Sequence, residues 1–378
     1  MTDNNDIFKD IRPYNDDEVR PVIDALVNNQ ELLSVIGRFK FPRLKMMVGK
    51  LLNEPIKWAL RREFKHVSDV DSWQKMIAKY MDKMLKRTVT QLTYSGLEQL
   101  EPGKGYLFIS NHRDIAIDPA LVSYGLDQQG LGTARIAIGD NLLQKPYVSD
   151  IMRLNKSFVV KRSATGVREK MKAYMDLSSY IDHSVHTGHN IWIAQREGRA
   201  KDGIDATDVA VMKMLYMSKK KSGQSYSDYI NSLHIVPVSI AYEFDPCDTA
   251  KACELAAVNS SGEYVKAQFE DMKSIVKGII GNKGRVHVAF GKPLDGQFDT
   301  PEQIAEAIDA SIAVNYQLQS TNIAAKAMVD GVEDTSTQFL EERFNELSSD
   351  QREYAIAMYA NPVLRQAEFA NSANSAKA

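Results

Sequence analysis

The chain has 378 residues, of which 44% are hydrophobic and 25% charged, and a formal net charge of −2. That is room for one large domain or two smaller ones around a buried core, without the strong basic excess that nucleic-acid binding asks for. Two cysteines, Cys247 and Cys253, are too few for a disulfide framework, which points to a reducing, cytoplasmic compartment.

The chain opens Met1-Thr2-Asp3-Asn4-Asn5-Asp6, acidic and polar where a secretory signal would be cationic and then apolar. No apolar run approaches the ~18–20 residues that span a bilayer. The expectation is a protein that is soluble or attached to a membrane surface.

Residues 1–88 read as a helical N-terminal region. Asp16-Asp17-Glu18 places acidic side chains where they suit a helix N-terminus. From Glu31 to Lys65, apolar residues such as Leu32, Leu33, Met46, Met47, Leu51 and Trp58 alternate with Arg38, Lys40, Arg43, Lys50, Lys57 and Arg61. Pro42 and Pro55 divide this stretch into pieces. Such basic, apolar helices either lie on an anionic membrane face or pack on a neighbouring domain with their cations in water.

Residues 89–330 alternate short β-rich runs with helical stretches. The expected strands are Tyr106–Ser110, Ala134–Ile138, Ser157–Val160, Ile191–Ala194, His234–Tyr242 and Arg285–Phe290. Several are apolar without alternation, as in strands covered on both faces. Helices are expected between them, among them Val167–Ile181 and Asp208–Lys219. This order predicts an α/β fold with a mostly parallel sheet flanked by helices. Thr300-Pro301-Glu302-Gln303 carries the signature of a helix start, with an N-cap Thr, Pro at the first helical position and Gln at the third. Residues 331–378 are expected to hold a helix near Ser349–Tyr359 and a disordered tail from Ala370 to Ala378.

Four places could carry chemistry. The apolar run Leu107-Phe108-Ile109-Ser110 leads into Asn111-His112-Arg113-Asp114-Ile115-Ala116-Ile117-Asp118-Pro119. A His beyond the carboxyl end of a strand is well placed for general-base work near neutral pH. A carboxylate behind it would fix its tautomer, and Asp114 and Asp118 are rivals for that place. Second, Ile191–Ala194 runs into Gln195-Arg196-Glu197-Gly198-Arg199-Ala200-Lys201-Asp202-Gly203, a loop of cations and glycines that suits a phosphate. Third, Phe158-Val159-Val160 ends in Lys161-Arg162. Fourth, Ile235-Val236-Pro237-Val238 is an apolar strand interrupted by Pro. His183, His186 and His189 recur at helical spacing, but Gly188 and Asn190 end the helix there. Loop surface is the preferred reading of the three histidines, and no metal site is assigned. The sequence has neither a Gly-x-Ser-x-Gly elbow nor a phosphate-binding Gly-x-x-x-x-Gly-Lys-Ser/Thr loop.

In order and spacing these four features resemble the four blocks of the glycerol-3-phosphate and 1-acylglycerol-3-phosphate acyltransferases. The blocks here read Asn111-His112…Asp118, Phe158…Arg162, Glu197-Gly198-Arg199 and Ile235-Val236-Pro237-Val238. Val286-His287-Val288-Ala289-Phe290-Gly291-Lys292-Pro293 resembles the closing strand. The likeness covers about 90–300, so residues 89–330 are expected to form the acyltransferase domain. There are two departures. Five residues separate His112 from Asp118 where the family has four. The third block also aligns in two ways, on Glu197-Gly198 or on Arg199, Lys201 and Gly203.

The resemblance implies transfer of a fatty acyl group from an acyl-coenzyme A or acyl carrier protein thioester to a hydroxyl of a glycerol phosphate or lysophospholipid, without cofactor or metal. His112 would deprotonate the hydroxyl and Asp118 would orient His112. Arg162, Glu197, Gly198, Arg199, Lys201 and Pro237 would bind substrate, with Arg162, Arg199 and Lys201 on the phosphate. Substrates of this kind favour peripheral contact with a membrane. The alternatives are a thioester or ester hydrolase on the same fold, and an inactive lipid-binding homologue.

Overall fold

The structure, a computed structural model, describes residues 6–267, 269–332 and 337–375. Helices α1 (Asp16–Asn28), α2 (Gln30–Lys40), α3 (Pro42–Val48), α4 (Asn53–Glu63) and α5 (Val70–Thr88) come first. Then follow β1 (Val89–Ser95), β2 (Leu107–Ser110), α6 (Ile117–Gln128), β3 (Arg135–Gly139), α7 (Pro146–Leu154), β4 (Ser157–Val160), α8 (Val167–His186) and β5 (Ile191–Ala194). The rest are α9 (Val209–Leu215), α10 (Tyr226–Ser232), β6 (Ile235–Tyr242), α11 (Asp248–Ser261), α12 (Glu270–Ile280), β7 (Gly284–Phe290), α13 (Pro301–Asn315), α14 (Ser320–Val329), α15 (Gln338–Arg343) and α16 (Ser349–Ser375).

Two compact units arise, Met1–Tyr80 with Arg135–Ala173, and Met81–Ala134 with Tyr174–Ala378. The cut thus falls inside the 89–330 segment, and 331–375 joins the larger unit. In the smaller unit β3 and β4 pair in parallel, and Val19, Ile23, Leu26, Val67, Trp73 and Leu154 form one core cluster. Pro42 is the first residue of α3 and Pro55 lies in the first turn of α4, places where a missing N–H costs nothing.

In the larger unit the strands run β1-β7-β6-β2-β5. β2 pairs in parallel with both β5 and β6, aligning Ser110 with Ala194 and with Val238. β7 is parallel to β1 and antiparallel to β6. Leu107, Phe108 and Ile109 of β2 are each 0% exposed, which is why the run is apolar on both faces. Each such side chain contributes about 1.5–3 kcal/mol by leaving water.

The expected strands Ser157–Val160 and Ile191–Ala194 agree with β4 and β5, those at β2, β6 and β7 differ by one residue at the N-terminal end, and Ala134–Ile138 is shifted by one residue at both ends from β3. β1 was not foreseen. Its sequence, Val-Thr-Gln-Leu-Thr-Tyr-Ser, is mostly polar, and β7 is its partner in the sheet. The helix start at Thr300 forms as read, with a complete capping box. α16 continues through Ser375, so residues 370–375, expected to be disordered, are helical. The remaining tail residues, 376–378, lie outside the described ones. The first half of α16 is packed: Ala355, Met358, Tyr359 and Ala360 join Ala252, Ala324, Ala325, Leu340 and Phe344 in a single core.

Candidate active site

At the carboxyl end of β2 the Asn111 side chain takes over the sheet ladder. Its Oδ1 accepts from the Ile240 N–H at 2.8 Å, and its Nδ2 donates to the Ile240 carbonyl at 3.0 Å. An amide presents one acceptor and a donor side by side, as a peptide does. This pins the chain as it leaves the sheet and points the next residue, His112, out of the strand.

His112 Nδ1 lies 2.8 Å from Asp118 Oδ2. A carboxylate oxygen accepts, so Nδ1 carries the proton and Nε2 keeps its lone pair. Nε2 has no hydrogen-bond partner among the described residues, and the His112 side chain is 13% exposed. The imidazole is therefore oriented from behind and open at its basic nitrogen. Trp192 of β5 packs edge-on against the ring at 5.5 Å between centroids. Its own Nε1 is fixed by a 3.0 Å hydrogen bond to Ser110 Oγ.

The five residues between His112 and Asp118 do not separate the pair. They form a tight turn, and Asp118 becomes the second residue of α6. Asp118 Oδ2 also accepts from the N–H groups of Arg113 at 2.6 Å and Asp114 at 2.8 Å. Its Oδ1 accepts from Tyr242 Oη at 2.6 Å. Asp118 is 0% exposed, so all of its contacts are with protein, and a helix N-terminus is a favourable place for its charge.

Asp114, the rival, does different work. Its Oδ1 accepts from the N–H groups of Ala116 and Ile117 at 3.0 and 2.9 Å, which closes the start of α6. Burial, and then the neighbouring Asp118, raise its carboxyl above the ordinary value. Asp114→Asn preserves the accepting oxygen and is expected to leave turnover within a few-fold of the parent. A raised carboxyl pKa means the folded state keeps a proton that the unfolded chain has released. This contribution to stability is present at low pH and declines as pH rises through the raised value. Equilibrium unfolding across the acid range should show that decline in the parent and a flatter profile in Asp114→Asn.

The Arg196–Gly203 loop is tied to this turn by backbone and side chain. The Ala200 N–H donates to the His112 carbonyl at 2.8 Å. The buried Arg113 guanidinium donates to Asp205 Oδ2 at 2.7 Å and to the Gly203 carbonyl at 3.3 Å. Lys251 Nζ donates to the Arg113 carbonyl at 2.7 Å and pairs with Asp245. Gly203 has φ +78°, and a Cβ there would lie 2.1 Å from the Met358 carbonyl of α16. Only glycine fits between the loop and that helix.

The residues expected from sequence fall as follows. His112 and Asp118 form the pair. Glu197 and Gly198 are at the exposed loop tip, with Gly198 at φ +77° and open space around its Cβ position. Arg199 is half-buried and has no hydrogen bond or ion pair among the described residues. Lys201 is paired with Glu254 of α11, so its charge is already partly answered. Pro237 is buried in β6 opposite Ile109 and accepts from the Gly291 N–H at 2.8 Å. It supports the sheet and is not brought into the loop cluster. Arg162 belongs to the other unit, where its N–H donates to Asp140 Oδ1 at 3.1 Å.

Sequence reading assigned no role to Asn111, Arg113, Trp192, Tyr242 or Lys251. One signal was available for Tyr242: it ends β6, a strand parallel to β2, and so reaches the same sheet edge as His112. Burial, then Asp118 and Asp114, push its phenol well above the ordinary value, so the hydroxyl keeps its proton and donates. In Tyr242→Phe, Asp118 loses one donor and becomes a stronger acceptor for His112. The fall in kcat, measured by steady-state kinetics, should be about tenfold, the worth of one charge-assisted hydrogen bond.

A buried Asp–His pair lies beyond the carboxyl end of a mostly parallel α/β sheet, beside a loop of cations, the place where such sheets bind ligands. Residues 91–241 match the model of the Acyltransferase family. The structure of 1-acyl-sn-glycerophosphate (LPA) acyltransferase, PlsC, from Thermotoga maritima is similar at 15% identity. The match covers 75% of this chain and 92% of that one, with a TM-score of 0.38. None of the curated proteins searched matches.

Proposed function

We propose that this protein transfers a fatty acyl group from an acyl thioester to a hydroxyl of a glycerol phosphate or lysophospholipid, with His112 as general base. The observation that supports this most is the His112–Asp118 pair at 2.8 Å with the other ring nitrogen open, inside residues that match the acyltransferase family. His112 Nε2 takes the acceptor's hydroxyl proton as the oxygen attacks the thioester carbonyl. Asp118 holds the ring and stabilises the imidazolium. The C–S bond then breaks, and the thiolate leaves with the proton returned from His112. No covalent bond to the protein is required.

Arg199 is the loop cation with the fewest partners among the described residues, since Arg196 pairs with Asp202 and Lys201 with Glu254, and a guanidinium suits a phosphate. Arg199→Ala is expected to raise KM for a phosphorylated acceptor about tenfold or more while kcat changes less. Steady-state kinetics with the acceptor varied at saturating donor would show it. An effect on kcat alone would remove Arg199 from acceptor binding.

The smaller unit supports peripheral contact with a membrane. Phe39, Met46, Met47, Leu51 and Trp58 are 60%, 83%, 80%, 79% and 64% exposed, along helices that also carry Lys40, Arg43, Lys50 and Lys57. No helix among the described residues is long and apolar enough to cross a bilayer, and an apolar, basic surface of this kind binds anionic lipid.

The experiment that tests the activity follows free thiol from a long-chain acyl-coenzyme A, with and without glycerol-3-phosphate or lysophosphatidate. Release that requires an acceptor supports the transferase. Release that is equally fast without one would replace it with the hydrolase, which would use the same pair on water.

A further inference from the structure

α12 turns its apolar side outward. Phe269, Met272, Val276 and Ile280 recur at helical spacing along one stripe, with Ile279 beside it. Phe269, Met272, Ile279 and Ile280 are 58%, 42%, 39% and 60% exposed, an inversion of the usual surface helix. The residues that α12 buries are Ile275 and Gly278. Gly278 is set directly on the catalytic turn: a Cβ there would lie 1.9 Å from Asp114 Oδ2. The apolar stripe is therefore about one helix diameter, roughly 10 Å, from the turn that carries His112.

The charges sort themselves around this stripe. Asp271 is paired with Lys266 at 2.7 Å, and Glu270 accepts from Tyr264 Oη and the Ala267 N–H, both at 2.9 Å. Lys273 and Lys277 are exposed along one flank of the stripe. Neither has a carboxylate partner among the described residues, and Lys277 Nζ reaches only Thr249 Oγ1, at 3.2 Å. The helix thus offers outward apolar side chains edged by uncompensated cations, the complement of an anionic bilayer surface.

We propose that α12 is a lipid-facing lip of the catalytic unit, which seats on an anionic bilayer and brings the lipid–water boundary to the His112 turn. Only the purpose of such a lip, access to acyl-bearing substrates, rests on the glycerolipid reading above; the surface itself does not. A second copy of this chain is the competing occupant, because the same apolar stripe could pair with itself.

The test uses the full chain carrying Met272→Trp, mixed with vesicles of phosphatidylcholine and phosphatidylglycerol whose acyl chains are brominated. The expected result, read as the difference from the parent chain with its own three tryptophans, is loss of most of the introduced indole's emission, reversed when Ile280→Glu is added. Unquenched emission in a protein that still sediments with the vesicles would overturn the proposal, since contact would then run through the N-terminal helices alone. Concentration-dependent self-association without vesicles, abolished by Ile280→Glu and accompanied by no quenching, would overturn it in favour of the second copy. Neither readout involves turnover, so failure of the acyltransferase reading would show separately, as absence of acceptor-dependent thiol release.

Discussion

His112→Ala is expected to lower kcat for acyl transfer by about 10²–10⁴-fold, the usual contribution of a positioned general base, with KM for both substrates nearly unchanged. The ring makes one hydrogen bond through its side chain, to Asp118, and one edge contact with Trp192, so its removal costs little structure. The backbone carbonyl that receives the Ala200 N–H is retained, and the Arg196–Gly203 loop stays tied to the turn. The measurement is kcat and KM from thiol release, with a thermal melt to confirm folding. Residual activity within threefold of the parent would mean that another group takes the hydroxyl proton, and the general-base assignment would be withdrawn.

The second large effect belongs to Asp118→Asn. The carboxylate is 0% exposed and accepts from His112, two backbone N–H groups and the Tyr242 hydroxyl. An amide has one accepting oxygen for that set and sets its own N–H₂ against one of the donors. Two losses follow together. Stability falls by about 1–3 kcal/mol, the cost of a buried donor left unpaired. Turnover falls by roughly 10³–10⁴-fold, because Nδ1 no longer holds its proton and the basic nitrogen turns away from the substrate side. Urea unfolding and kcat separate the two effects. Asp114→Asn is the internal control, since it makes the same chemical change two residues from His112 without touching the pair. Equal losses in the two variants would return Asp114 to contention.

The local elements were legible because they are encoded locally. The β2 run declares itself by an unbroken apolar stretch, and both its faces are covered. The start of α13 is written in four consecutive residues that cap and open a helix. The Asn111-His112 pair, placed just past a strand, was enough to nominate the general base, since the carboxyl ends of parallel strands are where such sheets bind ligands.

What joins these elements was not legible, for a physical reason: the partners are far apart in sequence and chosen by packing. Asp114 and Asp118 are equivalent as chemistry. The geometry of one tight turn assigns the first to the start of α6 and the second to His112. Tyr242 reaches Asp118 across a sequence separation of 124, and it does so only because β6 lies against β2. Pro237 lies in the sheet interior opposite Ile109, a placement its motif alone does not reveal. β1 has little apolar content and exists because β7 offers it a ladder. The outward stripe of α12 has the same spacing as any buried amphipathic face. Periodicity tells that a helix has an apolar side, whereas tertiary packing decides whether that side meets the core or, as here, is left to face outward beside the turn that carries His112.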